Sequence, residues 1–494
     1  MKIEESIESI NALIVRGEIS TARREVKALL QARIPAPFRG KVANLARRVD
    51  LPLLGIRVLS PLVRPSDFRK YRPTPFEIAE YGACLTFIGA SAEALTLLKG
   101  VPSQECPEGL LYRSFALFSQ WDYAAAIPLL EEYVRSSKIT DYFRAVGKVN
   151  LLAALVNERR YADAETLKEE LAGECARLGY QRLVGNVYEL AAYNYVNQMK
   201  VAAAEKTLRL AETLFRANAT LDSFYVKKWG VLLDFRRQPG LERSVSALHA
   251  IRAEAQQRKL WETVRECDGY EAVFRKDPSL LAHVYSGTPY PRFRARLLED
   301  YGKIDLPAEY VLTLRDGAEA PTLDSVTGTL LGKRGRRMKP GQSSHRLLSI
   351  LFADFYRPLR VAVAHHELFP DEYFNPASSG HRVHQAICRL RNELAARKIP
   401  LKIGEKEGFY RVSATRPLKV KLPGPREAVN LPALADYHLL AQKWAEGEFS
   451  VRECVAFLKV SKRTTIRSLN RLVDAELAVR VGRSSATRYR LKKA

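Results

Sequence analysis

Apolar residues recur at intervals of three and four through most of residues 1–300, and strand-like alternation is scarce there. A stripe of that period predicts helices, each with one buried face. One pattern returns along the stretch: an apolar or aromatic residue, Ala three positions later, then residues four and seven beyond the Ala. It reads Tyr123, Ala126, Leu130, Tyr133, then Tyr161, Ala164, Lys168, Leu171, then Val201, Ala204, Leu208, Ala211. Weaker copies are Ile19, Ala22, Val26 and Ser91, Ala94, Leu98. From Ala94 onward these alanines lie 32, 38 and 40 residues apart. A small residue there lets two helices approach closely, and stacked pairs bury a continuous core. Two positions strain the pattern. Pro128 falls inside an expected helix, predicting a late start or a kink, and Lys168 stands where an apolar residue belongs.

Beyond residue 300 the texture changes. YVLTL from Tyr310 and SVTGTLLGKRGRRMKP from Ser325 predict short strands with a turn at Gly335. Leu347, Leu348, Leu351 and Phe352 mark the buried side of a helix, and VAVAHHELF from Val361 a short strand and a second helix. In the next helix Val383, Ile387, Leu390 and Leu394 form one stripe, leaving Arg382, Gln385 and Arg389 opposite. A hairpin around Glu405 to Gly408 closes this segment, residues 305–413. Residues 414–430 are Pro-rich and polar and predict a linker.

Residues 431–494 repeat the order: helix, helix, helix, basic hairpin. Ser450 and Ser461 are expected N-caps. After Ser461, Ile466, Leu469 and Leu472 or Val473 predict a buried stripe. Lys462, Arg463, Thr464, Arg467, Ser468 and Arg471 are then expected on the exposed side. The hairpin turns between Gly482 and Ala486 and carries Arg480, Arg483, Arg488 and Arg490.

Charge sharpens this picture. The 494 residues carry a net charge of +24, and residues 301–494 hold 35 Lys and Arg against 19 Asp and Glu. The last 44 residues alone hold 12 against 3. Basic surface gathered at one end suits a polyanion, nucleic acid being the commonest. The six cysteines are scattered without a C-x-x-C pair, which argues against a disulfide framework or a Cys-rich zinc site. The acidic start, MKIEESIESI, lacks the basic region of a secretory leader. The most apolar run, Tyr81 to Leu98, is rich in small and polar residues and contains Glu93. It predicts a helical hairpin and no membrane span.

Three stretches resemble known families. WDYAAAIPLLEEYV from Trp121 resembles a degenerate tetratricopeptide repeat, which implies a concave surface for a protein, a peptide or a small ligand. SGHRVHQAICRLRNEL, with the Gly408–Val412 hairpin strand after it, resembles the OmpR/PhoB-type winged-helix DNA-binding domain. The resemblance implies that the helix bearing Arg382, Gln385 and Arg389 enters the major groove, where Arg grips guanine and Gln grips adenine. Glu405 and Glu407 at the hairpin tip depart from it, since they would repel phosphates. No receiver domain precedes the segment either. Residues 431–494 resemble the winged helix of GntR- and MarR-type regulators. That likeness places Arg463, Thr464 and Arg467 nearest base edges and Arg480, Arg483 and Arg488 along the backbone.

The chain is therefore expected to be mainly α. A tetratricopeptide-like array (1–300) is succeeded by two α+β winged-helix domains (305–413 and 431–494). The expected function is a non-enzymatic, cytoplasmic, nucleoid-associated regulator of transcription that binds double-stranded DNA, alone or as a homodimer, with no cofactor and no metal. No G-x-x-x-x-G-K-[ST], G-x-S-x-G or H-E-x-x-H motif occurs. His365, His366, His381 and His384 crowd one segment, but no Cys or acid completes a zinc set. The rival expectation is a scaffold subunit of the PCI type, whose winged helix packs on protein. That reading predicts apolar residues where this chain has Arg and Lys.

Overall fold

The computed structural model describes residues 3–64, 71–215, 221–307, 309–331, 338, 342–370, 372–423, 431–458, 460–482 and 487–492. It is mostly helical, with an amino-terminal helical array and a carboxyl-terminal α+β region. Two compact units emerge: Met1–Arg258 with Tyr373–Pro376, and Lys259–Glu372 with Ala377–Ala494.

The first unit contains α1 (Ile3–Val15), α2 (Ile19–Leu29), α3 (Ala36–Arg48), α4 (Pro52–Val63), α5 (Pro75–Phe87), α6 (Ser91–Leu98) and α7 (Glu108–Phe118). It continues with α8 (Tyr123–Arg135), α9 (Asp141–Asn157), α10 (Tyr161–Arg177), α11 (Gln181–Asn197), α12 (Val201–Phe215), α13 (Leu221–Arg237) and α14 (Glu242–Gln257). Each helix packs on its predecessor, and α3 with α5, α5 with α7, α9 with α11 and α11 with α13 also meet.

One turn recurs along this array. Gly17, Asp50, Gly89, Trp121, Arg159 and Met199 each have positive φ. After each, the next amide donates to the carbonyl five residues back, as Glu18 does to Leu13 and Lys200 to Tyr195. This left-handed closure satisfies carbonyls that the helix end leaves open. Five positions beyond each such residue stands a buried small one: Ala22, Gly55, Ala94, Ala126, Ala164 and Ala204. Sequence reading found the five alanines and missed Gly55. A Cβ there would lie 2.7 Å from the Cys84 sulfur.

The two strained positions resolve separately. α8 starts on time at Tyr123 and runs through Pro128. Its N-cap, Asp122, accepts a hydrogen bond from the Ala125 amide at 3.2 Å. The Lys168 ammonium pairs with Glu165 at 2.7 Å, and the Tyr195 hydroxyl donates to the same carboxylate at 2.7 Å. The lysine stem thus does the covering and its charge is matched. The Tyr81–Leu98 run folds as the expected hairpin of α5 and α6. Among the described residues no helix is long and apolar enough to cross a membrane.

The second unit opens with three more helices, α15 (Trp261–Phe274), α16 (Pro278–Ser286) and α17 (Pro291–Tyr301). The array was expected to run to residue 300, but these three helices cluster with the α+β region. Then come β1 (Glu309–Arg315), β2 (Thr322–Asp324), β3 (Thr329–Leu330), α18 (Ser343–Leu351), β4 (Leu359–Arg360), α19 (Val361–Leu368) and α20 (Ser379–Ala396). Next are β5 (Leu401–Lys406), β6 (Phe409–Ala414) and β7 (Leu418–Pro423). Strands β1-β7-β2-β3 form one sheet and β4-β6-β5 another. Residues 414–430 were expected to be linker. Leu418–Pro423 is instead an inner strand, antiparallel to β1 and parallel to β2. Leu418, Val420 and Leu422 alternate into the same core as the α20 stripe. The expected turn at Gly335 lies outside the described residues.

The last elements are α21 (Leu431–Trp444), β8 (Glu448–Ser450), α22 (Val451–Leu458), α23 (Lys462–Asp474), β9 (Ala478–Val481) and β10 (Arg488–Leu491). Strands β8-β10-β9 make a third sheet. Phe449, Leu469, Leu472 and Tyr489 lie in a core of their own, separate from that of α18–α20.

Candidate nucleic-acid interface

Helix α20 buries Val383, Ile387, Leu390 and Leu394 as its spacing predicts. Of the residues opposite, Arg389 and Gln385 are exposed, and Gln385 Nε2 lies 2.9 Å from His381 Nε2. Arg382 is less available. Its guanidinium pairs with the Glu372 carboxylate and lies 3.9 Å from the centre of the Phe369 ring. The Arg382 hydrogen bond and charge hold the Glu372 carboxyl below the usual carboxylate range. His365 and His345 are buried in this module, and burial lowers both. Among the described residues no group of three His, Cys, Asp or Glu gathers to hold a metal ion.

The hairpin β5–β6 turns through Glu407 and Gly408, both at positive φ, the geometry of a tight two-residue turn. Its acids have partners. Glu405 accepts from the Gly408 amide at 2.8 Å, and Glu407 pairs with Lys259 at 2.5 Å. On β6, Arg411 stacks over Trp261, 4.6 Å from the ring centre. Two further pairs tie α15 to the loop after α18. Arg265 donates to both Asp354 oxygens at 2.8 Å, and Arg357 donates to Glu262 at 2.6 Å. The hairpin tip, whose acids were expected to repel phosphates, is thus engaged by the chain just before α15.

In α23 the cap is as expected: Ser461 Oγ accepts from the Thr464 amide at 3.1 Å. The Thr464 hydroxyl sits 2.9 Å from the same oxygen. Ser450 caps α22 reciprocally with Glu453. Lys462 and Arg463 are exposed and Arg467 is half-buried. Ser468 and Arg471, expected outside, are not. Ser468 is 2% exposed, and its hydroxyl accepts from Arg346 on α18 at 2.7 Å. Arg471 pairs with the buried Asp436 of α21 at 3.5 Å. Asp436 also takes Arg346, at 3.2 Å. Burial and then the Arg346 charge lower Arg471, with Asp436 opposing them. The helix is rotated from the expected orientation. The buried stripe is Thr465, Ser468, Leu469 and Leu472, turned from the expected one because small hydroxyls fit where α18 and α21 approach.

On the second hairpin, Arg480 is exposed and donates to the Asn470 side chain. Arg488 donates to the Glu448 carbonyl at 3.0 Å and lies 3.4 Å from a Glu453 oxygen. Arg490 sits 3.9 Å from Glu448. Arg483 lies outside the described residues. Sequence reading missed Glu372, Arg346 and Asp436. Only Asp436, the one acid in its largely apolar helix, carried a signal. No family model matches this chain, and no curated protein sequence matches it.

Proposed function

We propose that the carboxyl-terminal unit binds double-stranded DNA through two winged-helix modules. In this reading the chain is a sequence-specific transcriptional regulator, and its helical array, of tetratricopeptide-like repeats, meets a protein, peptide or small ligand. The observation that carries the proposal is the first turn of α23, where Lys462 and Arg463 are exposed and no acid is present. Positive charge at a helix amino terminus opposes the helix dipole and weakens the helix. A phosphate placed there removes that conflict. Helix α20 likewise begins without an acid and presents Gln385 and Arg389 outward.

A second reading has its own support. The arginines of β10 face Glu448 and Glu453, which suits a scaffold whose hairpin meets protein rather than phosphate.

Selection from a random duplex library with the full chain separates the two. The regulator predicts recovery of a motif and a steep loss of affinity with salt. Arg463→Ala is expected to cost ~1–3 kcal/mol and to relax preference at one position of that motif. No retention of any duplex at low salt would leave the scaffold.

A further inference from the structure

The two modules do not share an apolar core. Among the described residues a small set of polar groups connects them. Asp436 is 3% exposed and lies between Arg346 of α18 and Arg471 of α23. Arg346 also donates to the buried Ser468 hydroxyl. Four groups from three helices therefore close one buried network. Such a network adds little net stability over an apolar contact, and its best-attested use is to fix register. Between Pro423 of β7 and Leu431 of α21 the chain has only seven residues, which limits how far the modules separate.

Glu372 is held by Arg382 at the start of α20. The same carboxyl is lowered first by the Arg382 hydrogen bond and charge, against its burial, then by the His365 charge, and last by Arg467 of α23. Arg382 of α20 thus pairs with this carboxylate and Arg467 of α23 adds its charge, and a duplex phosphate resembles that carboxylate in charge and acceptor geometry.

We propose that α20 and α23 form one composite surface for a single uninterrupted stretch of duplex, held in fixed register by Arg346, Asp436, Arg471 and Ser468. This rests on the DNA-binding reading above and adds the spacing. Two modules on a loose tether would accept half-sites at many separations. Two modules locked by a buried network accept one, because about half a helical turn of inserted DNA moves one half-site to the far side of the duplex.

The test uses the full chain and the site recovered by selection. About five base pairs are inserted between the halves that the two modules protect. The composite surface predicts a single spacing among selected sites and at least a roughly tenfold loss of affinity on insertion. Asp436→Ala is then expected to accept the inserted and parent sites alike, with thermal melting showing that it is folded. Arg346→Ala gives the same readout from the other side of the network, should the first variant not fold. Selected halves at freely varying spacing, or no loss on insertion in the parent protein, would overturn the fixed register while leaving DNA binding intact. Failure to retain any duplex would overturn the DNA-binding reading itself.

Discussion

At the residue scale, the partners of the charges matter more than their number. Arg382 is in a favourable helical position, but in the free protein its carboxylate partner is Glu372. DNA binding at this helix must exchange that carboxylate for a phosphate. An exposed pair is worth up to about 1 kcal/mol, so Glu372→Gln is expected to raise duplex affinity about two- to fivefold. A titration at fixed salt measures it, and an unchanged or weaker affinity would remove Arg382 from the interface. Glu189 makes a different prediction. Burial raises its carboxyl from 4.5 to about 7, against the Trp229 hydrogen bond. The folded protein then keeps a proton that the unfolded chain has released, so this site's contribution is present below 4.5 and lost as pH rises through 7. Glu189→Gln is expected to melt higher than the parent at pH 8 and no higher at pH 5. None of these pairings was visible from spacing, because the partners belong to different elements. Ser468 shows the limit most plainly. A serine beside a leucine stripe reads as exposed until a second module is packed on it.

At the element scale, the recurring alanines were legible because a helix crossing leaves room for a methyl group and little more. Ala204 is fully buried. Ala204→Leu is expected to destabilise the array by about 1–3 kcal/mol through overpacking, read as an earlier denaturant midpoint. The left-handed residue that precedes each of these small residues was not legible, since Asp, Trp, Arg and Met fill the position as well as Gly. Strand β7 was missed for the opposite reason. Leu418, Val420 and Leu422 alternate with Lys419 and Lys421 as a half-buried strand should, but the flanking prolines read as linker. The first hairpin was legible in the sequence, and the partners of its tip were not. With Glu407 held by Lys259 and Arg411 by Trp261, its tip is expected to take no part in duplex binding. Glu407→Lys should leave affinity within about twofold, whereas a phosphate-tracking tip would bind markedly tighter with the added charge.

At the scale of the whole molecule, periodicity and structure place the division of the chain differently. Helices α15–α17 carry the same three-and-four spacing as the array, so they read as its continuation to residue 300. Their chemistry belongs elsewhere. Arg265 has no exposed side-chain surface and sits beside Glu262 and Asp354. Burial works against its charge, but those two carboxylates more than offset the penalty and raise it. Gly287 closes the same contact through its carbonyl, which accepts from the Phe355 amide at 3.1 Å. Its α carbon lies so near the Phe355 ring that an added Cβ would fall 2.2 Å away. A fragment cut at residue 301 would leave Asp354 and Arg357 without the cation and the acid that match them. Losing these pairs together with the Gly287–Phe355 contact is expected to remove an appreciable part of the small margin that keeps a domain folded. The 259–494 fragment is therefore expected to unfold in one cooperative transition, while the 301–494 fragment melts far lower or not at all cooperatively. Equal melting of the two would mean that α15–α17 are only neighbours of the α+β region, and that the division falls where the periodicity alone puts it.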